Sequence, residues 1–358
     1  MTYPLPADAG KLLLTLRDGA WLDAQEFPPL VWAVPEIVPE GSVLLVGPPK
    51  IGKSWLVLSI ALAAAADDGK ALGLDIPKRP VLYMALEDGD RRLQSRCKRL
   101  LADAAIPPDF EYITRIEPGR IIDTIAAWIH FKEQPLVMLD TLGKVMPPTL
   151  MGESSYQRDY RVGSALKRVV DDHGGTLLVN HHDRKANADD FVDAVSGTHG
   201  LAGAADTIIV LSRDRQETSG LLKVTGRDVA EGEYAVTFKD GAVWALDGPN
   251  LAAAQEKAQK VRATTRATAG AGDTMLDVVL YAYRHPKGVR RKDVAEALDL
   301  EPKVAGVYLA RAFKTGRLQR PERGLYTPVT SVASVTSEGA QDNTDNTRNT
   351  PPEEDETS

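Results

Sequence analysis

Ser42-Val43-Leu44-Leu45-Val46-Gly47-Pro48-Pro49-Lys50-Ile51-Gly52-Lys53-Ser54-Trp55-Leu56 is the stretch that decides the fold. Ser42–Val46 is an apolar run that reads as a buried strand. Ser54–Ala66, with Trp55, Leu56, Leu58, Ile60 and Leu62 among alanines and no breaker, reads as a helix. The connection between them has the spacing GxxxxGK[ST]. Glycines at both ends let such a loop wrap closely around phosphates with its N–H groups pointing inward. Lys53 brings a positive charge near the β- and γ-phosphates, Ser54 offers a hydroxyl to Mg²⁺, and the helix that begins there adds its positive dipole end. Pro48 and Pro49 lie in the loop body and do not interfere. Gly47, Pro48, Pro49, Lys50, Ile51, Gly52, Lys53, Ser54 and Trp55 are therefore the candidate binding residues for ATP, with Mg²⁺ as its metal.

Further apolar runs follow outward from this loop. Val81–Leu86, Leu136–Leu139, Thr176–Val179 and Thr207–Leu211 read as strands, and Asp90–Ala104 reads as a basic helix with Leu93, Cys97, Leu100 and Leu101 at helical spacing. Apolar strands alternating with helices predict a parallel sheet covered on both faces. The run Leu136-Val137-Met138-Leu139 ends in Asp140, the place where nucleotide-hydrolysing enzymes with such a loop keep the carboxylate that holds Mg²⁺. Ser54 and Asp140 are thus the candidate metal residues. In AAA+ and transporter-type ATPases a glutamate directly follows that aspartate, whereas here Thr141 follows it. The carboxylate placed to polarise a water is instead Glu87, at the end of Val81–Leu86, with Asp88 beside it as the alternative. No His/Cys cluster has metal-ligand spacing, so zinc is not expected.

Charge is distributed unevenly. The chain carries a net charge of -7, and Ser331–Ser358 alone, with seven acidic residues and Arg348, accounts for -6. Gly272–Pro328 has eleven Lys/Arg against seven Asp/Glu, or +4. A small basic module followed by an acidic tail suits a nucleic-acid partner better than the net charge suggests. The tail, built from Ser, Thr, Asn, Asp, Glu and Pro, cannot bury a core and is expected to be disordered. A single cysteine, Cys97, allows no intrachain disulfide and fits a reducing, cytoplasmic setting. No apolar run is long enough to span a membrane, and Met1–Gly10 lacks the basic and apolar segments of a secretory signal.

After Arg213 the pattern turns β-rich. Gly220–Arg227 and Tyr234–Phe238, with Glu231-Gly232 between them, predict a β-hairpin, and Leu251–Ala271 reads as a partly helical linker. In Gly272–Pro328, helical patterns over Thr274–Tyr283, Arg290–Leu298 and Val304–Lys314 precede two short β segments around Gly316–Arg320 and Gly324–Tyr326. That order resembles a winged helix-turn-helix, with Val304–Phe313 as recognition helix and Arg317–Arg323 as wing. Such units bind duplex DNA or proteins.

Taken together, Pro49-Lys50-Ile51-Gly52-Lys53-Ser54, Ala85-Leu86-Glu87-Asp88, Leu139-Asp140-Thr141-Leu142, Asn180-His181-His182-Asp183-Arg184-Lys185, and the segment from Ser196-Gly197 to Gly203-Ala204-Ala205-Asp206 resemble the RepA-like hexameric replicative helicases of plasmids and phages, in the RecA/DnaB group. The likeness covers roughly residues 28–245. It implies an α/β fold: a RecA-like P-loop NTPase core, mainly a parallel sheet flanked by helices with a C-terminal β-hairpin, plus the small winged helix-turn-helix domain. The expected organisation is an N-terminal lead-in (1–27), an ATPase domain (28–248), a linker (249–271), the winged unit (272–328) and the acidic tail (329–358).

The same resemblance implies roles. Glu87 activates the attacking water, and Lys53 neutralises phosphate charge. His182 senses the γ-phosphate. Arg227 and Lys223, four residues apart on one hairpin strand, reach the neighbouring subunit's γ-phosphate. Loops Gly143–Arg161 and Arg184–His199 line a channel and grip single-stranded DNA, or act as lids. Both are poor in cations for a phosphate grip. The implied partners are DNA, further copies in a ring and replication proteins, with no membrane. Two other classes use the same core: a recombination or repair ATPase that forms a filament, and a regulator whose nucleotide state switches the winged unit on DNA.

Overall fold

A computed structural model describes residues 9–117, 119–182 and 199–329. The chain divides into two compact units, Met1–Gln259 and Lys260–Ser358.

The first unit is built on a nine-stranded sheet. In chain order its strands are β1 (Gly41–Gly47), β2 (Val81–Ala85), β3 (Phe110–Ile113), β4 (Leu136–Asp140), β5 (Thr176–His182), β6 (Thr207–Arg213), β7 (Ser219–Gly226), β8 (Gly232–Lys239) and β9 (Val243–Leu246). Their spatial order is β9-β8-β7-β6-β1-β5-β4-β2-β3. The six strands from β6 to β3 run parallel, and β7, β8 and β9 extend the sheet antiparallel. The phosphate-loop strand β1 is therefore internal and buried on both faces. Val43 and Leu45 pack with the helix α1 (Lys53–Ala64) on one side. Leu44 and Val46 pack on the other side with α2 (Ile121–Ile129) and α3 (Ser155–His173). Burial on both faces is why these strands read as unbroken apolar runs rather than alternating ones.

Several elements differ from the sequence reading. The predicted channel loop Gly143–Arg161 is only partly a loop, because α3 begins at Ser155. Ser154 caps it by accepting the Gln157 N–H, while the Gln157 side chain accepts from the Ser154 N–H. This reciprocal capping is a local signal that starts a helix wherever an apolar face follows. The predicted hairpin gains a third strand, β9, whose Trp244 is buried. The helical part expected of Leu251–Ala271 is present as the helix Leu251–Thr268 and takes up most of that segment. The edge strand β3 and the helix α2 had not been assigned at all. The second predicted channel loop, Arg184–His199, lies outside the described residues except for the start of the short helix His199–Ala204, and so do most of the acidic tail and residues 1–8. Among the described residues no helix is long and apolar enough to cross a membrane.

The second unit contains helices Asp273–Arg284, Arg291–Ala297 and Pro302–Lys314, and strands Val289–Arg290, Leu318–Glu322 and Leu325–Pro328. The last strand lies between the other two. Val278, Val279, Ala282, Val294, Ala305, Leu309 and Leu318 form its buried core.

Leu45→Ala is expected to lower the unfolding free energy by about 2–5 kcal/mol, because the internal strand cannot collapse onto the cavity. Phe131→Ala, at a residue 83% exposed, is expected to change it by less than about 0.5 kcal/mol. Urea denaturation of the two variants compares them directly.

Candidate nucleotide site

In a parallel sheet every strand ends on the same edge, so residues far apart in sequence arrive at one place. The register here pairs Gly47 with His182, Asp140 with Asn180, and Ala85 with Asp140. The phosphate loop, the end of β2 that leads to Glu87, and the ends of β4 and β5 therefore share one rim. They enclose a cleft of about 600 Å³ lined by Pro49, Lys50, Gly52, Lys53, Ser54, Trp55, Glu87, Asp88, Arg92, Arg96, Asp140, His182, Phe238 and Gly241.

The loop conformation depends on Gly52, which has φ +104° and precedes α1. A Cβ there would lie 3.0 Å from Trp244 Nε1 and 3.1 Å from the Phe238 ring. The loop is held from behind by the antiparallel strand β9 and the end of its parallel neighbour β6. Trp244 Nε1 donates to the Gly52 carbonyl at 3.0 Å, and Arg213 Nε donates to the Ile51 carbonyl at 3.2 Å. Arg213 in turn lies over the Phe238 ring, 4.8 Å from its centroid.

Asp140 is 3% exposed and accepts three hydrogen bonds: from Ser54 Oγ (3.0 Å), Asn180 Nδ2 (2.6 Å) and Tyr83 Oη (2.7 Å). Burial, with the Asp140 charge beside it, pushes the Tyr83 hydroxyl well above its ordinary range, so it stays a donor. The Ser54 hydroxyl and Asp140 Oδ1 stand at the separation of two neighbouring oxygens on an octahedral Mg²⁺, about 2.9 Å. This donor set fits Mg²⁺ bound with phosphate and water oxygens. Among the described residues no group of three or more His, Cys, Asp or Glu side chains could hold a metal by itself.

Lys53 Nζ donates to the Gly47 carbonyl (2.6 Å), the Pro48 carbonyl (2.9 Å) and His182 Nδ1 (3.0 Å). An ammonium donor makes Nδ1 an acceptor, so the imidazole proton sits on Nε2, which lies 3.9 Å from Glu87 Oε1. Thr141 Oγ1 also donates to Glu87 Oε1, at 3.2 Å. Burial, then the Lys53 charge, lowers the His182 pKa below its ordinary value, while Glu87 and Asp140 raise it. Asp88, the alternative to Glu87, is buried and ion-paired with Arg92 (3.0 Å) and Arg96. Arg96 also lies over the Trp55 ring, 4.7 Å from its centroid.

Arg227 and Lys223 are not part of this cleft. Gly226 pairs with Thr207, and Thr207 with Val43, so Arg227 lies at the opposite edge of the sheet from its own phosphate loop. It is 63% exposed, with Nη1 3.2 Å from Asp206 Oδ1. Lys223 Nζ is 3.8 Å from Glu233 Oε1. The sequence reading did not single out Trp244, Arg213, Tyr83 or Asn180 as a loop support or an Asp140 partner, since nothing local to those residues points to the loop or to Asp140.

Two outcomes are expected. The His182 imidazole titrates below the ordinary histidine value. Lys53→Ala moves its midpoint up by removing a cation, and Glu87→Gln moves it further down by removing an anion. Imidazole NMR shifts read both signs. Gly52→Ala, which forces a side chain into a left-handed conformation against two aromatic rings, is expected to weaken nucleotide binding by about tenfold or more, as titration with a fluorescent ATP analogue would measure.

Comparison with known proteins bears on this site. Among solved structures, a DnaB-like replicative helicase, described with its interactions with primase, is similar at 16% sequence identity with a TM-score of 0.45. The match covers 57% of this chain and 57% of that one, less than two thirds of its length. No curated protein matches. The sequence model of the AAA domain matches residues 8–188, a span that includes the phosphate loop, Glu87, Asp140 and His182. With just over half of its length matched, the chain belongs to the AAA domain family.

Proposed function

We propose that this chain is an ATP-hydrolysing DNA motor of the RepA-like helicase type, working as a ring of identical subunits. The observation that carries the reading is the convergence of Lys53, Ser54, Glu87, Asp140 and His182 on one cleft at the carboxyl ends of parallel strands.

In this reading Lys53 and the loop N–H groups hold the β- and γ-phosphates, and Ser54 and Asp140 hold Mg²⁺. The metal, when bound, neutralises charge on the bridging and γ-phosphate oxygens. Glu87, oriented by the Thr141 hydroxyl, takes a proton from the water that attacks the γ-phosphorus. The bond from that phosphorus to the β–γ bridging oxygen breaks, and ADP and phosphate leave. His182 lies between Lys53 and Glu87, so a γ-phosphate that draws Lys53 away changes its partner. It is thus the residue that reports nucleotide state to the chain beyond it. The position of Arg227 at the far edge of the sheet supports action on another subunit's nucleotide rather than its own.

The order and pairing of elements in the second unit support a winged helix-turn-helix. Lys303, Val307, Arg311 and Lys314 are exposed on the helix Pro302–Lys314, and Arg320 and Arg323 lie at its hairpin. That face suits the phosphates and base edges of duplex DNA. The same unit favours a second reading, a regulator that grips duplex DNA in one nucleotide state.

Steady-state ATP hydrolysis with and without single-stranded and duplex DNA, with Lys53→Ala as the blank, separates these. Strong stimulation by single strands is expected of a motor. Hydrolysis indifferent to single strands, with tight duplex binding, would move the assignment to the regulator. Arg227→Ala is expected to bind nucleotide but lose hydrolysis, and mixing it with Glu87→Gln is expected to restore part of the rate through hybrid interfaces. Normal hydrolysis by Arg227→Ala alone would remove the role across subunits.

A further inference from the structure

We infer that Asp206 is a positioning residue that aims the Arg227 guanidinium away from its own subunit, toward a neighbour's nucleotide. The inference rests on the role across subunits proposed for Arg227 and names what sets its direction. Asp206 stands immediately before β6, with a side chain 10% exposed. It holds Arg227 twice. Its carbonyl accepts the Arg227 N–H at 3.0 Å, and its Oδ1 accepts from Arg227 Nη1 at 3.2 Å.

The carboxylate is itself fixed by donors from two other elements. Oδ2 accepts from the Ser42 N–H of β1 at 3.1 Å and from Lys167 Nζ of α3 at 2.7 Å. Lys167 also donates to Asp171 at 2.8 Å, one turn further along its own helix. The Asp206 N–H donates to the Ser42 carbonyl at 2.9 Å. With Oδ2 taken up by two donors, Oδ1 is left to Arg227. The backbone enforces the same approach. Gly226 pairs with Thr207, and a Cβ on Gly226 would lie 2.8 Å from the Asp206 carbonyl oxygen and 2.6 Å from Thr207 Oγ1. Glycine there lets β7 end close enough for Arg227 to meet Asp206.

Arg227 is 63% exposed, and an ion pair so open to water adds little to stability. Its consequence is direction. A long side chain at the end of a strand has many rotamers, and a fixed carboxylate at one nitrogen selects among them before any partner arrives. Among the described residues the rest of the guanidinium makes no hydrogen bond, which leaves its outer edge to a phosphate.

The test compares wild type, Arg227→Ala, Asp206→Asn and Asp206→Glu as full chains, by steady-state ATP hydrolysis and by titration with a fluorescent ATP analogue. An asparagine has one acceptor oxygen, which the Ser42 N–H and Lys167 claim, so its NH₂ faces the guanidinium and turns it away. Asp206→Asn is expected to lower kcat by about 10- to 100-fold with nucleotide affinity unchanged, a smaller loss than the roughly 10³-fold or more expected of Arg227→Ala. Asp206→Glu, which keeps a carboxylate, is expected to lose less than Asp206→Asn. Mixing Asp206→Asn with Glu87→Gln is expected to recover part of the rate, because the first keeps a working cleft and the second a well-aimed arginine. If Arg227→Ala is slow but Asp206→Asn keeps the wild-type kcat, the positioning role is wrong while the action across subunits stands. If Asp206→Asn binds nucleotide weakly, or its mixture with Glu87→Gln recovers nothing, Asp206 serves the fold of its own subunit and the inference falls. If Arg227→Ala hydrolyses normally, the role across subunits fails and the positioning role with it.

Discussion

Asp140 is a carboxylate buried at the end of an apolar strand in the middle of the sheet. Burying such a charge costs several kcal/mol unless its lone pairs are met by donors. Here the donors come from three different elements: Ser54 from α1, Tyr83 from β2 and Asn180 from β5. Each depends on the register of the parallel strands, because a slip of one residue would turn Tyr83 or Asn180 to the other face of the sheet. The requirement to satisfy one carboxylate thus ties the phosphate-loop helix to the strand that leads to Glu87 and the strand that ends in His182.

The phosphate loop has a second dependence, on β6 and on the antiparallel strands beyond it. Trp244 and Arg213 hold the carbonyls of Gly52 and Ile51, and the Phe238 and Trp244 rings pack tilted against each other at 4.8 Å between centroids. A glycine suits residue 52 both for its left-handed backbone and because a Cβ there would crowd those rings at 3.0–3.1 Å. Loop and hairpin therefore form one unit, so that a change in β8 or β9 is felt at the loop backbone. The side of the cleft made by Glu87 and His182 is supported differently, through Thr141 and Lys53. Asp88 lies on the same side, its charge offset by Arg92 and Arg96 while Arg96 lies over the Trp55 ring.

Much of this was legible in the chain. Local spacing alone placed the strands of Gly41–Gly47, Val81–Ala85, Leu136–Asp140 and Thr207–Arg213 and the helix after the phosphate loop, since burial on both faces leaves an unbroken apolar run. The short edge strand Phe110–Ile113 escaped because Glu111 and Tyr112 face solvent, which breaks such a run. The helix from Ser155 escaped although Ser154 and Gln157 announce its start and Val162, Leu166, Val169 and Val170 supply its buried face. The candidate site residues on the rim were each visible as a polar group at the end of an apolar strand or in the phosphate loop.

What the sequence by itself determined was therefore the set of elements and the chemical groups at their ends, because both follow from interactions within a few residues. Only the tertiary structure showed how two adjacent carboxylates that both line the cleft differ, with Asp88 drawn into a buried ion pair and Glu87 left exposed beside Thr141. It also decided that Arg227 lies at the sheet edge opposite its own loop, and that Trp244 supports a carbonyl 192 residues away. Those outcomes depend on strand order and register. Contacts between strands bring together residues that no local spacing relates, so the chain encodes them only through the whole fold.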